Sequence, residues 1–108
     1  MDADRARELT NLAKKKHLHD IETIYANDLN AMERELDDKI DEAAKSGANK
    51  YITGSIGFAE LIKKHVVNEQ ALQIDSALWS QALQDHYSAR GFEVYGSDNI
   101  GIEWPDDD

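Results

Sequence analysis

Residues 18–43 read LHDIETIYANDLNAMERELDDKIDEA, and the fold turns on how this stretch is taken. Leu18, Ile21, Tyr25, Leu29, Met32, Leu36, Ile40 and Ala43 recur at steps of three and four, which puts them on one stripe of an α-helix. Neither Pro nor Gly interrupts the run, so the spacing predicts one helix from Leu18 to Lys45, about 40 Å long. The 3-4-4 order closes on eleven residues rather than seven, which predicts a nearly straight or slightly right-handed stripe and not a leucine-zipper seam. Ser46-Gly47 supplies the stop, with glycine in the C′ position. The outer face carries Glu33, Arg34, Glu35, Asp37, Asp38, Asp41 and Glu42. A helix this long in a chain of 108 residues must bury its stripe against something. The expectation is a homo-oligomer, a dimer or higher, with Leu18, Ile21, Tyr25, Leu29, Met32, Leu36 and Ile40 at the interface.

Upstream, residues 3–17 favour helix but lack a clean stripe; Leu9, Leu12 and Ala13 either continue a drifting face or form a short separate helix. Downstream, Lys50 to Gly54 is rich in β-formers and reads as a strand. Phe58, Leu61, Ile62, His65 and Val66 then keep helical spacing. Asn68 caps a further helix expected to run from Glu69 or Leu72 to Arg90, with Ile74, Leu78, Ala82 and Leu83 inward and Trp79 and Tyr87 at the border. Gly91 ends it. Phe92 to Tyr95 and Ile100 to Trp104 alternate around a Gly96-Ser97-Asp98-Asn99 loop and form a hairpin. Pro105 closes the strand, and Asp106 to Asp108 read as a solvated end. The expected class is α+β: a long N-terminal helix, then a small head of two shorter helices and a three-stranded sheet ending in a β-hairpin. Residues 1–108 form one domain, with 1–46 as an oligomerisation arm and 47–108 as the head.

Composition narrows function by exclusion. The chain has 12 basic and 22 acidic side chains, a net charge of −10, which argues against binding duplex nucleic acid through its phosphates. Such a balance favours solubility or a basic partner. No cysteine is present, so thiolate chemistry and disulfides are excluded. With a charged start, MDADRARELT, no secretory signal is expected, and no apolar run approaches the ~20 residues of a membrane span. The expected location is the cytoplasm.

Ile40-Asp41-Glu42-Ala43-Ala44-Lys45-Ser46-Gly47, with the later Gly91-Phe92-Glu93-Val94 and Ile102-Glu103-Trp104, resembles a pattern in small uncharacterised bacteriophage proteins. There a helix ends in Ala-Ala-x-x-Gly, a later one in Gly-Phe/Tyr-x-Val, and the chain closes on Ile-x-Trp. The resemblance covers residues 36–104 and implies a phage origin, which would put the protein in the host cytoplasm. Its motifs are structural and carry over no active-site residue. The added helix within residues 55–70 and the basic N-terminal extension depart from it.

Several residue sets invite chemistry. His17-x-His19 suggests a metal, but side chains two apart on a helix point about 200° around the axis, so no metal site is expected. Asp37, Asp38, Asp41 and Glu42 resemble a chelating or acid–base group, yet an exposed helix face lacks the apolar pocket that raises a carboxyl pKa, and a solvated face is the simpler reading. Gly54-Ser55-Ile56-Gly57 lies between a strand and a helix, where backbone N–H groups can meet an anion. With Lys63 and Lys64 nearby, Gly54, Ser55 and Gly57 form the best small-ligand site, although the Gly-Lys-Ser/Thr ending of a P-loop is missing and a plain turn competes. Lys14-Lys15-Lys16-His17, with Arg5 and Arg7, is a basic patch facing phosphate, a second copy or water. Trp104 is expected in the core and Trp79 at the interface.

No Ser-His-Asp elbow surrounds any serine, so catalytic residues and cofactors are not expected. The functional expectation is a non-enzymatic phage accessory protein that binds and inhibits a host factor, such as a defence system, as a homo-oligomer. The alternatives are a virion or assembly component, and a sponge for a nucleotide signal at subunit interfaces.

Overall fold

The computed structural model describes residues 2–105; the expected solvated end at Asp106 to Asp108 lies outside them. Eight elements follow in order: α1 (Ala3–Glu22), α2 (Ala26–Lys45), β1 (Lys50–Ile52), α3 (Gly54–His65), α4 (Glu69–Leu72), α5 (Ser76–Ala89), β2 (Glu93–Tyr95) and β3 (Gly101–Glu103). The class is α+β, with a long N-terminal helix ahead of a small antiparallel sheet. The helix begins earlier than the stripe suggests and is interrupted within it, at Thr23, Ile24 and Tyr25. Two β-branched residues in succession lower helix propensity there. The Thr23 hydroxyl donates to the His19 carbonyl at 2.7 Å, a back-bond that bends helices. Tyr25 N–H then skips a residue and donates to Asp20 O at 2.9 Å. The bend lets Tyr25 reach Trp79, their ring centroids 6.5 Å apart.

Ile21, Leu29, Met32 and Leu36 are at most 1% exposed, and they share one core with Phe58, Leu61, Leu83 and Ile102. The stripe is therefore covered by the chain's own α3, α5 and β1 and not by a second copy. For the same reason α2 belongs to the body rather than to an arm. Burial of each large apolar side chain contributes about 1.5–3 kcal/mol, and α2 shares the core with α3 and with α5, which buries Leu78, Trp79, Ala82, Leu83 and Tyr87.

Glycine stops both principal helices as expected. Gly47 has φ +94 and Gly91 φ +94. At each the following N–H reaches back to close the turn: Ala48 to Ala43 O at 3.0 Å, and Phe92 to Tyr87 O at 3.1 Å. The Phe92 ring meets Tyr87 edge-on at 5.6 Å, and Trp104 packs on Phe92 at 6.2 Å. Trp104 is partly buried against the core, near where the alternation puts it.

The segment read as one helix from Glu69 to Arg90 is two. Asn68 caps α4, its side chain accepting from Gln70 N–H at 2.8 Å. The helix stops at Gln73, and Asp75 starts α5 by accepting from Ala77 N–H at 3.0 Å. An aspartate inside an apolar repeat works here as a cap. Trp79, expected at the border, is fully buried and its indole N–H donates to Ala71 O at 3.4 Å. Tyr87, also expected at the border, is fully buried too.

The sheet order is β1-β3-β2, both pairings antiparallel, with Tyr51 and Val94 opposite Ile102 from either side. Ile100 and Ile102 are fully buried. The hairpin loop is tied to α5 by Ser80, whose hydroxyl donates to Asn99 O, and by Gln84, which donates to Gly96 O at 3.0 Å. Gly96 has φ +129, and a Cβ there would sit 2.4 Å from Asn99 O.

Two outcomes check this account. Gly96→Ala should cost about 1–3 kcal/mol through strain and clash, read as a lowered denaturation midpoint. Leu36→Ala should cost about 2–5 kcal/mol equally at low and high protein concentration; a loss that disappears on concentrating the protein would move the stripe back to an interface.

Candidate functional site

Side chains from three helices converge where α1 ends. His86 of α5 sits between two carboxylates: its Nε2 is 2.8 Å from Glu22 Oε2 of α1, and its Nδ1 is 3.0 Å from Glu33 Oε2 of α2. Only an imidazolium carries N–H on both nitrogens, so this geometry selects the charged ring. One turn on, Arg90 donates to Glu33 Oε1 at 3.1 Å and to Asp37 Oδ1 at 2.9 Å. Between them the Tyr87 hydroxyl donates to Asp37 Oδ1 at 2.8 Å and lies 3.0 Å from Glu33 O. The Arg90 guanidinium covers the Tyr87 ring, 4.8 Å from its centroid, a cation–π contact.

Burial alone would lower the His86 pKa, but the hydrogen bonds and charges of Glu33 and Glu22 outweigh it and hold the group above its ordinary 6.5. The Tyr87 phenol is raised well beyond its usual range, by burial first and then by Asp37, so it remains a donor. Glu33 and Asp37 stand one turn apart on α2, as His86 of α5 and Arg90, its C-cap, do at the end of that helix. The two pairs form a charged seam that joins these helices and fixes the end of α1. Glu33 and Asp37 are thus not the plain outer face expected of them. Glu35 also turns aside, to Lys64 and His65 of α3, and the Lys64 bond is the main cause that lowers its pKa.

The expected anion site comes apart. Gly54, Ser55 and Gly57 occupy the first turn of α3, whereas Lys63 and Lys64 occupy its last turn. Nine residues of helix separate Gly54 from Lys63, about 14 Å. Ser55 donates to the Asp98 carboxylate at 3.2 Å, which puts negative charge where an anion would sit. Lys64 is paired with Glu35, and Lys63 faces elsewhere, into a groove described below.

The expected interface is mostly internal: Ile21, Leu29, Met32, Leu36 and Trp79 are fully or almost fully buried, and Leu18, Tyr25 and Ile40 pack against the same core. His17 and His19 lie on the last turns of α1. Among the described residues no group of three or more His, Asp or Glu is arranged to hold a metal ion, and no helix is long and apolar enough to cross a membrane.

What the surface does offer is an arm and a groove. Every residue from Ala3 to Lys16 is exposed, so roughly four turns of α1 stand clear of the body. The arm is capped by Asp2, which accepts from Arg5 N–H at 2.8 Å, and laced by Arg5–Glu8 and Arg7–Asp4 pairs at 3.1 and 2.8 Å. Leu9 and Leu12 are 40% and 60% exposed. The groove, about 360 Å³, lies between α3 and the α4–α5 corner and is lined by Ala59, Ile62, Lys63, Leu72, Ile74 and Ser76.

The charged seam was not read from the sequence, although a signal for it exists: acidic pairs and basic pairs at i, i+4 on two amphipathic helices. It makes stability depend on pH. A raised histidine pKa contributes stability that is complete below pH 6.5 and is lost as pH rises through the folded-state value. Urea denaturation from pH 5 to 9 should show the wild type losing stability above pH 6.5, and His86→Gln should flatten that slope. An unchanged slope would remove the ion pair from the account.

No protein-family model, no curated protein and no solved structure matches this chain.

Proposed function

We propose that this is a non-enzymatic accessory protein of phage origin that acts as a homo-oligomer by binding, and thereby inhibiting, a host protein in the host cytoplasm, most simply a component of a defence system. The observation that carries the binding reading is the way charge is divided over the molecule. Between Asp2 and His17 lie five basic and three acidic side chains, leaving seven basic and nineteen acidic for the remainder. Lys14, Lys15 and Lys16 make no ion pair among the described residues. A slightly basic arm on a strongly acidic body offers two recognition surfaces of opposite sign. Complementary potentials steer encounter and exclude wrong partners. The acidic body suits a basic surface on the host protein, and the arm is free for self-association.

The phage origin rests on the resemblance described above, whose Ala-Ala-x-x-Gly and Gly-Phe-x-Val motifs fall on the glycine stops of α2 and α5. The nucleotide-sponge reading loses support, because its glycines and lysines lie at opposite ends of α3.

The test is affinity capture with the intact protein from host lysate, paired with mass spectrometry of purified virions. The reading predicts one host protein retained in stoichiometric amount, released by raised salt as a screened charge contact requires, and a protein dispensable for particle assembly. Stoichiometric incorporation into virions, with no host protein retained, would replace it with the structural alternative.

A further inference from the structure

The arm and the groove are both unpartnered, and each has what the other lacks. We propose that the arm of one copy seats Leu9 and Leu12 in the groove between α3 and the α4–α5 corner of a second copy, and that the exchange is reciprocal. The inference deepens the homo-oligomeric part of the function proposed above and rests on it.

The first argument comes from the arm. Helices shorter than about 12–15 residues are marginal in water when nothing packs on them. Every residue of the 3–16 segment is exposed, and its cap and two ion pairs are exposed and weak. Its apolar residues are nonetheless gathered. At 100° per residue Ala6, Leu9, Leu12 and Ala13 fall within about one third of the circumference, a strip suited to an apolar groove.

The second argument comes from the groove. Ala59, Ile62, Leu72 and Ile74 give it an apolar floor, and Leu72 is 43% exposed. Its charged positions complement the arm. Lys63 lines the groove, and Glu8 flanks Leu12 on the arm. Glu60 on α3 and Glu69 at the start of α4 are exposed, and Lys16 follows Leu12 by one turn. An arm seated by its leucines therefore has an acid for the groove's lysine and a lysine for the acids beside it.

A foreign peptide would fill the groove and leave the arm bare. Pairing arm with arm would cover the leucines but bring two net-basic segments together and leave the groove open. Reciprocal exchange covers both surfaces in both copies and closes as a two-fold dimer.

The absence of cysteine makes the test clean. Light scattering should give a dimer for the wild type. Leu12→Asp and Leu72→Asp should each weaken it about tenfold or more, with helix content by circular dichroism retained. Ala59→Arg, also exposed, repeats the groove test should Leu72→Asp disturb α4. Leu12→Cys mixed with Leu72→Cys should give a cross-linked heterodimer with a short bis-maleimide, and neither should cross-link alone. A monomeric wild type would overturn the exchange and the homo-oligomer together. A dimer that both groove variants leave intact, or Leu12→Cys linking to itself, would overturn the exchange alone.

Discussion

Leu29, Met32 and Leu36 are sealed from water because α3, α5 and β1 all close on the one face of α2 that carries them. Every other placement follows from that burial. With its apolar face turned inward, α2 presents its acidic flanks to its neighbours: Glu33 and Asp37 to α5, Glu35 to α3. Those flanks then meet basic side chains on the covering helices. Apolar area supplies the driving force, and the charged seam sets the angle and register at which the helices meet. This division is expected, since the hydrophobic effect has no direction and hydrogen bonds do.

The seam also explains how an arm can leave the body at a defined angle. Glu22 is the last residue of α1, and its bond to His86 anchors that helix beside the bend. Ile21, immediately before it, is fully buried. An apolar anchor and a charged one, adjacent in sequence, hold the root of the arm, and the turns before them lie free. The same histidine that fixes the arm has its pKa raised by Glu33 and Glu22, so the arm's attachment and the stability of the body are linked to one proton.

Much of this was legible in the residues, and the rest was not for identifiable reasons. The 3-4-4 stripe, the glycine stops at Gly47 and Gly91, the Asn68 cap and the C-terminal hairpin all express local rules, and all are observed. The bend at Thr23 to Tyr25 was hidden because it needs no Pro or Gly, only β-branched residues and a tertiary gain from Tyr25 against Trp79. The second break was hidden because Asp75 reads as a polar helix residue until its carboxylate is seen to accept from Ala77 N–H and cap α5. The stripe was misassigned to a partner for a related reason. Periodicity shows that a face is buried but not by what, and here the covering surface comes from later elements of the same chain, β1, α3 and α5. The anion site failed on length: residues near in sequence on one helix can stand a full helix apart in space.

The central claim is that the chain consists of a self-sufficient body, built on the buried face of α2, and a helical arm that is completed only by a second molecule. Amide hydrogen exchange measured across a range of protein concentrations tests it most directly. The account predicts that amides of Leu29 to Leu36 exchange only through global unfolding at every concentration. Those of Glu8 to Lys16 should exchange rapidly when dilute and become protected as the concentration rises. Protection of Leu29 to Leu36 that depends on concentration, or an arm protected equally at all concentrations, would contradict it.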